Sequence, residues 1–165
     1  MPNIKFVSPD TSFQYQYKEF MEEWMREKNW HKMRPTCLAN AHPNGEGMGY
    51  FERNAEIGIK TYFAVLDNKI IGVVVLRKTE ECASCFYRGY GGTIDFCVRP
   101  MYRRYGYGKE IFRLAIEKSG NSEELVLCDR DDWLAEKMIR SFGGKPIREV
   151  EDYDKKVKRL YSIKK

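Results

Sequence analysis

The chain has 165 residues, 42% hydrophobic and 32% charged, a composition that excludes a disordered or fibrous protein. Its longest apolar run, Ile70 to Leu76, is seven residues and too short to cross a bilayer, and Met1-Pro2-Asn3-Ile4-Lys5-Phe6 holds no signal-like apolar stretch. A soluble, cytoplasmic chain with no membrane partner, forming one domain over 1–165, is therefore expected.

Residues 3–8 alternate as a first strand, ended by Pro9. Thr11-Ser12-Phe13-Gln14 reads as a capping box with Thr11 at the N-cap. The helix it opens, 12–28, is amphipathic, with Phe13, Tyr17, Phe20, Met21 and Trp24 at helical spacing. From 29 to 57 the periodicity weakens. Gly45, Gly47 and Gly49 read there as a mobile loop rather than a phosphate loop, because no apolar strand leads into them. Runs at 61–66 and 70–77 flank Asp67-Asn68 as a hairpin. A polar stretch through Gly91-Gly92 leads to a strand at 93–98, closed by Pro100. A helix follows at 109–119, with Ile111, Leu114 and Ala115 inward and Gly120-Asn121 as its stop. Then come a strand at 124–128, a helix at 132–142 with Leu134, Met138 and Phe142 inward, and Gly143-Gly144 as its end. Strands at about 147–151 and 157–163 flank a last turn. With neither repeat nor linker, this order is a single mixed α/β domain with a largely antiparallel sheet.

Five cysteines (Cys37, Cys82, Cys85, Cys97 and Cys128) are an odd number and read as free thiols of a reducing compartment. Cys82-Ala83-Ser84-Cys85 is a CxxC, but no second pair completes a zinc site, and the surrounding sequence is polar and loop-like. It reads as structural. His31 and His42 are too isolated to suggest a metal, and none is expected.

The formal charge of +5 is pooled. Residues 99–113 hold five bases (Arg99, Arg103, Arg104, Lys109, Arg113) against Glu110, a net +4, and residues 145–165 hold eight bases against four acids, another +4. The remainder carries −3. Such pooling fits either an anionic partner or a solvated basic face. In the first segment a strand enters a basic loop, Arg103-Arg104-Tyr105-Gly106-Tyr107-Gly108, that opens directly into a helix at Lys109. Glycine lets the backbone approach an anion, and the helix start adds free N–H groups and a partial positive charge. These residues describe a site for pyrophosphate or a similar anion.

The Arg-x-x-Gly-x-Gly pattern at 103–108, behind Val98-Arg99-Pro100 and ahead of a helix, resembles motif A of the GNAT superfamily of acyl-CoA-dependent N-acetyltransferases. The resemblance implies a single-domain GNAT fold with helices on both faces of a twisted sheet, and acetyl-CoA as co-substrate. It places the pantetheine arm along Phe96, Cys97 and Val98. It places the pyrophosphate at Arg103, Arg104, Tyr105, Gly106, Tyr107, Gly108 and Lys109. The segment from Cys128 to Gly144 is similar to the family's next block, in which an Asn commonly caps the helix near the cofactor; here that residue is Asp132. Asp caps equally well but brings negative charge towards a phosphorylated ligand.

The reaction so implied is direct attack of a primary amine, from a small molecule or peptide, on the thioester. Asp95 is the candidate base, an acid on the strand sharing a face with Thr93 and Cys97; a structural Asp bonded to neighbouring backbone is the alternative. Related enzymes often carry Glu where Thr93 stands. Cys97 reads as an inert buried thiol. The position where the family often has an acidic Tyr is Ile139, so either the thiolate leaves unassisted or another phenol, such as Tyr161, donates the proton. The acceptor side is expected from 29–57 and 77–92, and the family resemblance allows a homodimer. The basic C-terminal segment is either solvated or meets the adenosine 3′-phosphate. Two rivals stand beside this expectation: a catalytically idle CoA-binding domain, and a nucleic-acid-binding module. The second is disfavoured because the aromatics fall on core stripes rather than beside a basic groove.

Overall fold

Asp67 (φ 48°) and Asn68 (φ 60°) both adopt the left-handed backbone that a two-residue hairpin turn requires, and Asp and Asn tolerate it better than most residues. They join β2 (Lys60–Leu66) to β3 (Lys69–Leu76). The structure is a computed structural model in which residues 2–28, 48–79, 92–152 and 155–165 are described. β1 (Lys5–Val7) and β4 (Ile94–Val98) flank the hairpin, giving an antiparallel sheet of order β1-β2-β3-β4. β5 (Glu123–Asp129), β6 (Lys145–Glu151) and β7 (Val157–Lys164) form a second antiparallel sheet of order β5-β7-β6.

β3 is buried from Ile70 to Leu76 because helices cover both faces of its sheet, which is why its sequence is continuously apolar rather than alternating. On one face lie α1 (Gln14–Met25) and α2 (Met48–Glu56). Tyr17, Phe20, Trp24 and Phe51 pack there on Phe63, Ile70, Val73 and Cys97. The Tyr17 ring stacks on Phe63 at 5.5 Å, and Phe51 meets Phe63 edge-on at 5.8 Å. On the other face lie α3 (Tyr107–Ser119) and α4 (Trp133–Ser141). Ile111, Phe112, Ala115 and Ile139 join Ala64, Val74, Ile94, Val126 and Tyr161 there, in a core that runs under both sheets. The mixed α/β architecture with helices on both faces is the one expected. Among the described residues no helix is long and apolar enough to cross a membrane.

The two sheets meet at one point. Thr93 N–H donates to Leu125 O at 2.7 Å, and Leu125 N–H donates to Thr93 Oγ1 at 2.9 Å. The Thr93 hydroxyl in turn donates to Glu124 Oε2 at 2.7 Å. Glu124 is fully buried, and its carboxylate is satisfied by Thr93, Ser119, Asn121 Nδ2 at 3.1 Å and Lys165 Nζ at 2.9 Å. Just before Thr93, a Cβ on Gly92 would stand 1.8 Å from Leu125 O, so only glycine allows this approach. Beyond the junction, among the described residues, β4 pairs only with β3 and β5 only with β7, and a V-shaped cleft opens between them.

Several local expectations are corrected. Asp10, not Thr11, caps the first helical segment: its carboxylate accepts from Ser12 N–H at 2.8 Å and starts a 3-10 turn, Thr11–Phe13, ahead of α1. The α-helix then ends at Met25. α2 occupies part of what read as a loop; burial of Met48 and Phe51 against the sheet outweighs the cost of Gly49 in its first turn. Leu134 is exposed, while Ala135 and Ile139 face inward, because the cap at Asp132 sets the helix phase. Cys37, Cys82, Cys85, His31 and His42 lie outside the described residues, as does most of the expected acceptor side.

Candidate active site

The V between the sheets is a cleft of about 220 Å³. Ile94, Asp95, Phe96, Cys97 and Val98 form one wall and Val126, Leu127, Cys128 and Asp129 the other, with Asp132, Ala135, Met138 and Ile139 of the α4 segment closing it. Alternation along β4 sends Phe96 and Val98 towards α3, where Phe96 stacks on Phe112 at 5.6 Å. Cys97 packs in the α1 cluster, and Asp95, two residues earlier, shares its face. Among the described residues the β4 edge that faces the cleft has no strand partner, an arrangement that suits an extended ligand.

At the mouth of the V, β4 turns through a 3-10 segment, Pro100–Tyr102, into the glycine loop. Arg104 (φ 67°) and Gly106 (φ 84°) are left-handed, and Gly106 serves as the N-cap of α3. A Cβ on Gly106 would meet nothing within 4 Å, so its glycine is required by backbone angle and not by crowding. A Cβ on Gly108 would lie 3.4 Å from Val98 Cγ2, so the loop runs close to the end of β4. Lys109 and Glu110 N–H groups turn back onto Gly106 O at 3.2 and 3.4 Å. Those of Tyr107 and Gly108, in the first turn, have no intrahelical carbonyl within reach and point outward with the positive end of the helix dipole. Main-chain donors arranged this way are of the kind that bind anions.

Three of the five formal charges near that loop have acidic partners, Arg103 among them. The Arg103 guanidinium lies 4.5 Å from the centre of the Trp24 ring and pairs with Glu27 Oε2 at 3.2 Å. Arg99 Nε donates to Glu23 Oε2 at 2.5 Å, and Arg113 is held by Glu110 and Glu117. Bonding to Arg113 also keeps the Glu110 carboxyl below its ordinary value. Among the described residues, only exposed Arg104 and Lys109 of these five bases have no ion pair, and Lys109 Nζ sits 6.0 Å from the Phe142 ring. Four of the eight bases in the C-terminal segment are paired internally, Lys155 with Glu151 at 3.2 Å among them. Lys158 meets Asp129 and Asp152, each at 3.4 Å, Arg159 meets Glu136 and Glu149, each at 3.3 Å, and Lys165 meets Glu124. These pairs brace the second sheet, while Lys145, Arg148 and Lys164 stay exposed.

Asp95, Phe96, Cys97, Val98 and Asp132 therefore share the cleft, with the 103–109 loop at its mouth. Asp132 caps α4, its Oδ1 accepting from Ala135 N–H at 3.0 Å. Tyr161 lies apart. It is fully buried on β7, one strand removed from the cleft, with the Arg140 guanidinium 5.6 Å from its ring centre. Burial raises its phenol above the ordinary value, and it packs as core. Cys128 was not singled out as a cleft residue from sequence. Burial foremost, then Asp132, Glu136 and Asp129, push its thiol up to about 11, so it is not poised as a nucleophile. The apolar wall at Val126, Leu127 and Met138 was also missed; its only signal is ordinary core hydrophobicity.

The V, the exposed strand edge and the glycine loop define a class of cofactor-binding α/β fold. The family model described as "Acetyltransferase (GNAT) family" matches residues 11–143, and the chain belongs to that family. Solved structures share the fold at low identity. The microcin C7 self-immunity acetyltransferase MccE, in complex with acetyl-CoA and AMP, is 12% identical with a TM-score of 0.73, over 98% of this chain and 92% of that one. The ribosomal-protein alpha-N-acetyltransferase RimL, in complex with coenzyme A, is 10% identical with a TM-score of 0.65, over 96% and 92%. A GNAT-family acetyltransferase from Streptococcus pneumoniae is 14% identical with a TM-score of 0.62, over 97% and 98%. None of the curated proteins matches the sequence significantly.

Proposed function

We propose that the chain is, over its whole length, one cytoplasmic acetyltransferase domain that moves an acetyl group from acetyl-CoA directly to a primary amine of a small molecule or peptide. The observation that carries this is the juxtaposition of an open strand edge with an anion site. The edge of β4 that faces the cleft, which pairs with no strand among the described residues, ends at Val98 against the main-chain donors of the glycine loop. An extended pantetheine amide suits the first and a pyrophosphate the second. Acetyl-CoA and coenzyme A in the MccE and RimL structures support the same ligand class.

The acceptor nitrogen attacks the thioester carbonyl carbon, a new C–N bond forms, and the C–S bond breaks to release the thiolate of CoA. An ammonium is not nucleophilic, so Asp95 takes its proton before attack. A β4 backbone N–H near Cys97 or Val98 stabilises the oxyanion. With Ile139 at the family's usual Tyr position and Tyr161 outside the cleft, the thiolate leaves unassisted. A thiolate is a tolerable leaving group near neutral pH.

Thiol release from acetyl-CoA, assayed against a panel of aminoglycosides, polyamines, amino acids and peptides, tests the reading. Release with at least one class is the expected result. Asp95→Asn should lower turnover most at low pH, with the deficit shrinking where the amine is already neutral; a pH-independent loss removes Asp95 from the role. Ile139 also favours a second reading, an idle CoA-binding domain. That reading predicts CoA binding with no thiol release for any amine.

A further inference from the structure

The acids at the end of α1 work against the helix that carries them. Its last turn contains no base, Glu23 lies within it and Glu27 just beyond, although a helix C-terminus disfavours negative charge. Both carboxylates instead reach the segment between β4 and the glycine loop. Glu23 Oε2 accepts from Arg99 Nε at 2.5 Å, and Glu23 Oε1 accepts from Met101 N–H at 2.8 Å. The Arg99 and Glu23 side chains are 12% and 19% exposed, so water screens the pair poorly. Met101 lies in the first turn of the Pro100–Tyr102 segment, where its N–H has no partner within the turn. Glu23 thus caps that turn from a helix 78 positions away. The Arg99 N–H donates to Ile71 O at 2.7 Å, tying the same corner to β3.

The loop beyond this corner does not hold its own shape. Arg104 and Gly106 are left-handed, and a non-glycine residue in that region persists only where its surroundings impose it. We propose that Glu23 is a positioning residue for the phosphate loop: by fixing Arg99 and Met101 it sets the direction of the main-chain donors at 104–108. It touches no ligand itself. The inference rests on the acetyl-CoA reading of the loop.

The test is calorimetric titration with CoA, alongside steady-state kinetics in acetyl-CoA, on the full chain. Glu23→Ala should weaken CoA binding and raise KM for acetyl-CoA by about tenfold, leaving kcat within about twofold, as expected for lost binding shared by ground and transition states. Glu23→Gln keeps an acceptor for Met101 N–H but loses the charge facing Arg99, and should recover part of the affinity. It also serves if the alanine variant fails to fold. Glu27→Gln removes a pair whose partners are 39% and 42% exposed and should shift affinity by less than about twofold. A folded Glu23 variant that binds CoA like wild type overturns the inference alone, as does a loss confined to kcat. A wild-type chain that binds no CoA overturns the acetyl-CoA reading and the inference with it.

Discussion

Gly106 and Gly108 stand two residues apart in one loop, yet alanine should move stability in opposite directions at the two positions. At Gly106 the backbone is left-handed, with φ 84°, and a Cβ would find open space. Gly106→Ala therefore costs only the backbone strain of an L-residue in that region, about 1–2 kcal/mol. For a chain of this size that lowers Tm by about 2–8 °C, well short of unfolding it. Gly108 has ordinary backbone in the first turn of α3, and its Cβ would make normal contact with Val98 at 3.4 Å. Gly108→Ala should raise Tm by a degree or a few, since alanine gains about 0.5–1 kcal/mol over glycine in a helix. Differential scanning calorimetry separates the two signs, and titration with CoA follows the site. Binding should weaken in Gly106→Ala, where the strained loop re-aims its donors. Equal Tm shifts, or a Gly106→Ala protein that is both fully stable and fully competent for CoA, would refute the reasoning.

Three further outcomes follow from the junction and the cleft. Gly92→Ala drives a Cβ onto a backbone oxygen that cannot yield, and should destabilise the protein by about 3 kcal/mol, seen as a lowered denaturant midpoint. Glu124→Ala leaves the Lys165 ammonium and the Thr93, Ser119 and Asn121 donors without their shared acceptor, and should cost about 3–5 kcal/mol in the same assay. The Cys128 thiol, pushed up to about 11, should alkylate slowly at pH 8 and about tenfold faster per unit up to pH 10, followed by peptide mass spectrometry. An unfolded thiol ionises earlier than this one. The stability Cys128 contributes is thus complete below the unfolded value and declines as pH rises towards 11.

The glycine loop was legible because its physics is contiguous: two glycines, a strand before and a helix after lie within a few residues. The faces of β4 follow from simple alternation, and Asp132 as a cap follows from residue type. The fate of the charges was not legible. Arg99 and Arg103 stand in the sequence as part of one basic pool with Arg104, but Glu23 and Glu27, 76 positions earlier, engage them. Only the packing of α1 across β4 brings those acids near. α2 was hidden for a related reason: its few apolar positions form a helix because the sheet supplies their cover. The split of one expected sheet into two also left no local trace. It depends on Thr93, Glu124 and Leu125 meeting across 32 positions.

That junction bears on the choice of base. Thr93 occupies the position where related enzymes often carry Glu, but its hydroxyl is fully buried and committed to Glu124 and Leu125. A residue in that state moves no protons, and its work is to pin the closed end of the V. Asp95 lies two residues further on, within β4 and nearer the open end. It lies half-buried on the cleft wall, on the side of α1 and α2. If the base has moved one pleat outward, the acceptor amine must also meet the thioester further from the junction, beside Asp95. The amine then comes from the α1/α2 face, while Phe96 and Val98 close the α3 face with apolar surface. Restoring a carboxylate as Thr93→Glu would consequently not rescue Asp95→Asn. It would place a second acid against Glu124 and open the closed end of the V.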